Sequence, residues 1–264
     1  DVQAVRTFTD AGLRDIAHVV EGTEGVTSYD VTDPGAPVDF QTGTTAVVGR
    51  TIFVDQPDDP SAPYVVYLAE DWKGVRIFES VPADPGILAY NGVFVGTQGA
   101  AYGLQVRDGW GYCADNEMGL AVLDLRVLDL DAVALASWAD SPGNARDVAL
   151  AGEYALVADG LEGLAVFRVT GGEPPVRVAQ YDLSGFSVAI AVRDGLCALA
   201  ANGGGVHFLD VSRPEAPVYL GSTATSYATD VALTDDGACV VVDEDDGLLV
   251  LTGRPPFADR TAPA

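Results

Sequence analysis

The chain has 264 residues, 48% of them hydrophobic, and carries 39 acidic against 14 basic side chains for a formal net charge of −25. That length supplies one large core or two modest ones, and the charge argues against nucleic acid and anionic membrane surfaces, which need phosphate neutralised by Lys or Arg. It suits cationic partners, metal ions or a solvated acidic surface, and no apolar run approaches the roughly 20 residues of a membrane-spanning helix.

In chain order, VQAVRTFTDAGLRDIAHV (2–19) aligns with VRVAQYDLSGFSVAIAV (176–192). The chain is therefore expected to begin with an outer, fourth strand and then to enter an inner, first one. A short pattern follows and recurs. HVVEGTEGVTSY holds Gly25, YLAEDWKGVRIF Gly74, YCADNEMGLAVL Gly119, ALVADGLEGLAVF Gly163, LAANGGGVHFL Gly205 and VVDEDDGLLVL Gly247. These glycines lie 49, 45, 44, 42 and 42 residues apart, a period that marks a repeat architecture. Within the fourth unit RDVALAG, EYALVAD, GLAVFRV and PVRVAQYDL each alternate with period 2 between Gly, Pro and Asp signals. Such runs are antiparallel strands rather than helices.

Four strands per unit in six units predict an all-β fold, a six-bladed β-propeller of four-stranded antiparallel blades. It is expected as one domain over 1–264, with 253–264 as a C-terminal tail. A solenoid would need polar capping repeats, and none is visible. The last unit stops after its third strand, so the N-terminal strand is expected to complete the last blade from outside and close the ring. Two units depart from the pattern. Asp15 lies 10 residues before its glycine where Asp147 and Asp230 lie 16 and 17 before theirs, so unit one is short by about a strand. QPDDPSAP (56–63) is inserted in unit two and reads as a protruding loop.

Two turn motifs carry a family resemblance. YALVADGLEGLAVF (154–167) and GYCADNEMGLAVLDL (111–125) share the strand, acidic turn and Gly-Leu. YDVTDPGAPV (29–38) and LDVSRPEAPV (209–218) share an Asp-Val-Ser/Thr-x-Pro turn. The chain resembles the LVIVD family of bacterial and archaeal β-propeller repeats. The resemblance implies a propeller in an extracellular or cell-surface setting, and no particular activity. Unit five departs from it with Ala201-Asn202 where the acid should stand, and units two, four and six lack the full second turn.

Candidate chemistry lies in two sets of acids expected on one face. The turn set is Glu21, Glu70, Asp115, Asp159 and Asp243, which as turn residues would accept backbone N–H groups two or three positions on. The inner set is Asp15, Asp147 and Asp230, from LRDIAH, ARDVAL and ATDVAL, expected near the mouth of a central channel. Arg14 and Arg146 stand beside two of them as pairing partners from blade to blade. Otherwise Ca²⁺, which takes oxygen ligands in flexible number, would sit among the three carboxylates. Trp72 lies within a turn and Trp110 near the same face, while Trp138 is expected to pack between blades. His18 and His207 have no GxSxG serine or third metal ligand to serve, DEDDG (243–247) lacks EF-hand spacing, and Cys113, Cys197 and Cys239 read as small buried residues.

The sequence thus predicts a non-catalytic extracellular binding or structural module. Asp15, Asp147, Asp230, Arg14, Arg146 and Trp72 would meet a protein or a cationic, Ca²⁺-bridged partner. The alternatives are a metal-dependent hydrolase or lyase with Asp15, Asp147 and Asp230 as ligands, and a subunit of a surface layer or filament.

Overall fold

A computed structural model describes residues 2–9, 12–43, 48–59, 61–81, 84–126, 134–253, 255 and 259–261. The chain divides into two compact units, 1–111 with 123–135 and 112–122 with 136–264. The first unit contains two complete four-stranded antiparallel sheets. One is β1 (Val2–Thr9), β2 (Gly12–Val20), β3 (Val26–Asp30) and β4 (Val38–Gly43); the other is β5 (Thr51–Asp55), β6 (Val65–Ala69), β7 (Val75–Val81) and β8 (Asp84–Val95). A third sheet joins β9 (Gly103–Arg107), β10 (Trp110–Ala114), β11 (Leu120–Asp124) and β12 (Ala134–Ala139).

The second unit contains three more complete sheets. They are β13 (Asp147–Ala151), β14 (Tyr154–Ala158), β15 (Leu164–Arg168) and β16 (Val176–Tyr181); β17 (Ala189–Arg193), β18 (Leu196–Ala200), β19 (Val206–Asp210) and β20 (Val218–Thr223); and β21 (Ala228–Leu233), β22 (Cys239–Asp243), β23 (Gly247–Thr252) and β24 (Asp259–Thr261). In every sheet the strands lie side by side in chain order. The sole helical element among the described residues is one 3₁₀ turn, Gly22–Glu24.

The repeat accounts for the packing. In the second unit β13 packs on β17 and β17 on β21, first strand against first strand. The second strands have sheet on both sides, so both of their faces are buried: Ala155, Leu156, Val157 and Ala158 of β14 are all inaccessible. That is why these strands read as unbroken apolar runs rather than alternating ones. Small and large residues take turns, and Leu156, Ala158, Leu164 and Val166 of one sheet meet Ile190, Cys197, Leu199 and Leu209 of the next. Third and fourth strands meet with a register shift at the same place in three sheets, at Ser28/Tyr29, Val166/Phe167 and Phe208/Leu209. A bulge there adds right-handed twist to each sheet.

The structure corrects the expected closure. β1 pairs with β2, Val5 opposite Ile16 and Thr9 opposite Gly12, so the N-terminal strand is the first strand of its own sheet. The last sheet takes its fourth strand from within the expected tail, with Thr252 opposite Asp259. The reason is local. Only two residues separate the paired Thr9 and Gly12, and so short a connection joins adjacent antiparallel strands. The same correction supplies the strand that unit one lacks by sequence count, and it moves Asp15 and His18 to a second strand.

Candidate functional site: the acidic turns and the first strands

The second strands β6, β10, β14 and β18 run into turns that do the same mechanical work. The residue after the acid position adopts a left-handed backbone, with φ of 49° at Asp71, 50° at Asn116, 61° at Gly160 and 47° at Asn202. Asp, Asn and Gly are the residues that tolerate this region. Each exchanges two backbone hydrogen bonds with the segment leading to the next first strand. Asp71 bonds Ala101 (3.1 and 2.8 Å), Asn116 bonds Ala145 (3.0 and 2.9 Å), Gly160 bonds Ser187 (3.2 and 2.9 Å) and Asn202 bonds Ala228 (3.0 and 3.1 Å). The turn is thus a stitch from one sheet to the next.

The acid ahead of the stitch secures the other neighbour, the loop entering its own sheet. Asp159 is inaccessible. Its Oδ1 accepts the Ser141 hydroxyl at 2.6 Å and its Oδ2 the Gly143 N–H at 3.1 Å. Burial pushes its carboxyl above the ordinary range, against those two bonds. Asp243 repeats the arrangement, accepting Tyr227 N–H at 2.8 Å from its entering loop and Asp245 and Asp246 N–H within its turn. Bonds within the turn, expected for the whole set, are therefore only part of the answer.

Space demands the loop's glycines. A Cβ at Gly143 would lie 2.1 Å from Asp159 O, and one at Gly185 2.3 Å from Ala201 O. Unit five, which lacks the acid, is compensated in kind. Leu183, five residues before the first-strand entry at Val188 as Ser141 is before Arg146, packs on the apolar cluster.

The remaining turn acids are also held. Glu70 is inaccessible and takes Arg76 Nε at 2.8 Å, Asp71 takes Arg50 through Nε at 3.2 Å and Nη2 at 2.7 Å, and Glu21 accepts Thr27 Oγ1 and, at 3.4 Å, Tyr29 OH. Asp115 is buried.

The inner set divides. Asp147 begins β13 and Asp230 is the third residue of β21, both first strands of the second unit, and the Asp230 carboxylate adds to the burial that raises Asp147 to about 7. Two backbone N–H groups oppose that rise, Val148 at 2.8 Å and Ile190, on the neighbouring first strand β17, at 2.9 Å. Asp230 accepts the Val231 N–H of its own strand at 2.8 Å, and its carboxyl is likewise raised by burial. Asp15 lies on β2, where its N–H donates to Thr32 Oγ1 at 3.0 Å. Among the described residues no three His, Cys, Asp or Glu side chains gather as metal ligands would.

Arg14 bonds Asp30 of its own sheet at 3.1 Å, and Arg146 lies 5.7 Å from the Phe186 ring centre. Trp72 is 72% exposed at its turn. Trp110 starts β10, at the strand end away from the acidic turn, with the Arg126 guanidinium 4.1 Å over its ring. Trp138 is 41% exposed.

Both histidines are structural. His18 is inaccessible, with Nδ1 2.9 Å from Ser28 Oγ and Nε2 2.9 Å from Tyr64 OH. Burial lowers it to about 4. The unfolded chain, with an ordinary imidazole, binds this proton more readily. Stability therefore falls as pH drops from about 6.5 toward 4, by about 3 kcal/mol from this group. Asp147 acts in the opposite sense, since its raised carboxyl costs stability as pH rises from the ordinary range to about 7. Urea melts at pH 4.5 and 7 separate them: His18→Asn abolishes the acid-side loss and Asp147→Asn steepens it.

His207 Nε2 lies 2.8 Å from Ser184 O and 3.5 Å from Ser184 Oγ, and Nδ1 lies 3.1 Å from Tyr219 OH. A ring N–H on that carbonyl puts the proton on Nε2, which then cannot take one from the serine. Sequence did not reveal this serine, because 23 residues and a sheet boundary separate it from the histidine.

Sheets of this kind, in this number and order, define a six-bladed β-propeller, and the chain is similar in fold to known structures. The computationally designed Ika8 protein is 13% identical over 94% of this chain and 71% of its own, with a TM-score of 0.60. BBS1N, solved in complex with ARL6DN, is 11% identical over 89% and 74%, also at 0.60. These likenesses are of fold. No curated protein matches the chain. The LVIVD repeat model matches residues 142–167, the entering loop, β13, β14 and the stitched turn, so the chain is a propeller carrying an LVIVD repeat.

Proposed function

We propose that the protein is a non-catalytic binding module that works outside the cell and recognises a cationic protein surface with the tips of its acidic turns. The observation that carries this reading is a division of labour within each turn. The acid and the left-handed residue are occupied in holding sheets, whereas the next positions project outward and differ from unit to unit. The two most exposed large apolar side chains of the described residues, Trp72 (72%) and Leu161 (69%), stand at the same turn position. Glu117 and Asp245 occupy it elsewhere and are exposed too. Variable side chains on a rigid frame suit recognition, and a net charge of −25 favours a basic partner.

A random-peptide display library panned against the protein tests the reading. Selected peptides should be rich in Lys and Arg, release at high salt, and lose binding to Trp72→Ala or Leu161→Ser. Both variants should melt within about 0.5 kcal/mol of the parent, as exposed sites do. Selection of acidic or uncharged sequences, or binding that ignores both substitutions, would refute it.

A further inference from the structure

Two phenols from the outer strands of consecutive sheets lie against each other. Tyr181 closes β16 and Tyr219 is the second residue of β20. Their rings stack with centroids 5.9 Å apart and planes 20° from parallel. Tyr181 is half-buried against the apolar cluster that these two sheets share, whereas Tyr219 is 38% exposed. The pair is thus held together from inside and open to reagents from solvent.

The hydroxyl of Tyr219 is bonded to a base. It lies 3.1 Å from His207 Nδ1, and His207 Nε2 lies 2.8 Å from Ser184 O. A carbonyl only accepts, so Nε2 carries the ring proton and Nδ1 presents its lone pair to the phenol. Burial holds this imidazole below its ordinary range, which keeps it neutral near neutral pH. A phenol that loses an electron becomes a strong acid. A base already bonded to it takes the proton in the same event, which avoids a high-energy radical cation. Oxidation of Tyr219 therefore moves its proton to His207 Nδ1, and the imidazolium keeps its Nε2–H bond to Ser184 O. The unpaired electron that remains is spread over the ring carbons flanking the oxygen, with the Tyr181 ring stacked beside them.

We infer that Tyr181 and Tyr219 are an oxidative modification site, where a haem peroxidase or other peroxide-driven one-electron oxidant joins them into a dityrosine. Each phenol gives up one electron and its hydroxyl proton. The two radicals then form a carbon–carbon bond between ring positions ortho to the oxygens. The hydrogens at those positions move to the oxygens and restore both phenols. Hydrogen peroxide takes up the two electrons and two protons and leaves as two waters. The product is a covalent strap between two sheets of a chain whose cysteines, Cys113, Cys197 and Cys239, are free. The inference is independent of the acidic-turn face.

The test treats the whole chain, dilute enough to disfavour contact between copies, with a haem peroxidase and hydrogen peroxide at neutral pH. Dityrosine fluorescence should appear in the monomer, and peptide mapping should find Tyr181 and Tyr219 joined with the loss of two hydrogens. Tyr227, exposed to the same extent at 40%, is the internal control and should couple less. Tyr181→Phe and Tyr219→Phe keep the rings in place and should each abolish the fluorescence. His207→Gln can still accept the phenol's hydrogen bond without being a base, and should slow the reaction by about tenfold or more. A folded His207→Gln variant that reacts as fast as the parent would overturn the inference. So would coupling between copies or at other tyrosines in place of this pair, or the absence of dityrosine.

Discussion

Replacing Asp159 by alanine lowers the unfolding free energy by about 2–4 kcal/mol. The Ser141 hydroxyl and the Gly143 N–H each lose an acceptor, at a site from which water is excluded. A buried polar group left unpaired costs about 1–3 kcal/mol. Part of the loss is returned, because the carboxylate itself was disfavoured by burial. Asp159→Asn keeps one acceptor and can donate to Ser141 Oγ, so it should lose less than half as much. Urea denaturation followed by circular dichroism reads both. A loss below about 0.5 kcal/mol for the alanine variant, the range of ordinary surface sites, would show that the carboxylate holds nothing.

Gly163→Ala is expected to cost about 2–5 kcal/mol, for two separable reasons. Its φ of 76° is disfavoured for a residue with a Cβ, by about 1–2 kcal/mol. The added carbon would also lie 2.4 Å from Tyr181 O and 2.7 Å from Leu183 N. Those are backbone atoms that move only with the strand, and overpacking of this kind adds about 1–3 kcal/mol. Gly152→Ala is the control: its φ is 54° but its surroundings are open, so it should show the conformational part alone. Equal losses at the two sites would remove the steric part of the explanation.

Much of the fold was legible because the repeat is written in chemistry that only one arrangement satisfies. A glycine every 42 to 49 residues, flanked by five-residue apolar runs, gives blade number and strand order. The closure was misread at residues 2–9 because period-2 alternation says that a strand exists without saying which edge it joins. The two-residue link from Thr9 to Gly12 carried that information. It also explains why Asp15 was grouped with Asp147 and Asp230: three similar hexapeptides, LRDIAH, ARDVAL and ATDVAL, lie on strands of different rank.

The turns show a different limit. Their acids were legible as structural residues, but the partner of Asp159 was not. Ser141 and Gly143 precede it by 18 and 16 residues, and only the stacking of loop on turn brings them together. Groups such as His207 with Ser184 join a strand to a loop outside its sheet, where sequence pattern has no period to follow.

The central claim is that the repeated acidic turn holds neighbouring segments together and leaves recognition to its tips. A double-mutant cycle on Asp159 and Ser141 tests it most directly, with Asp159→Ala, Ser141→Ala and the double variant unfolded in urea alongside the parent. The account predicts a coupling energy of about 1–3 kcal/mol, the range for contacting residues in one hydrogen-bond network. Additive losses, with coupling below about 0.3 kcal/mol, would contradict it.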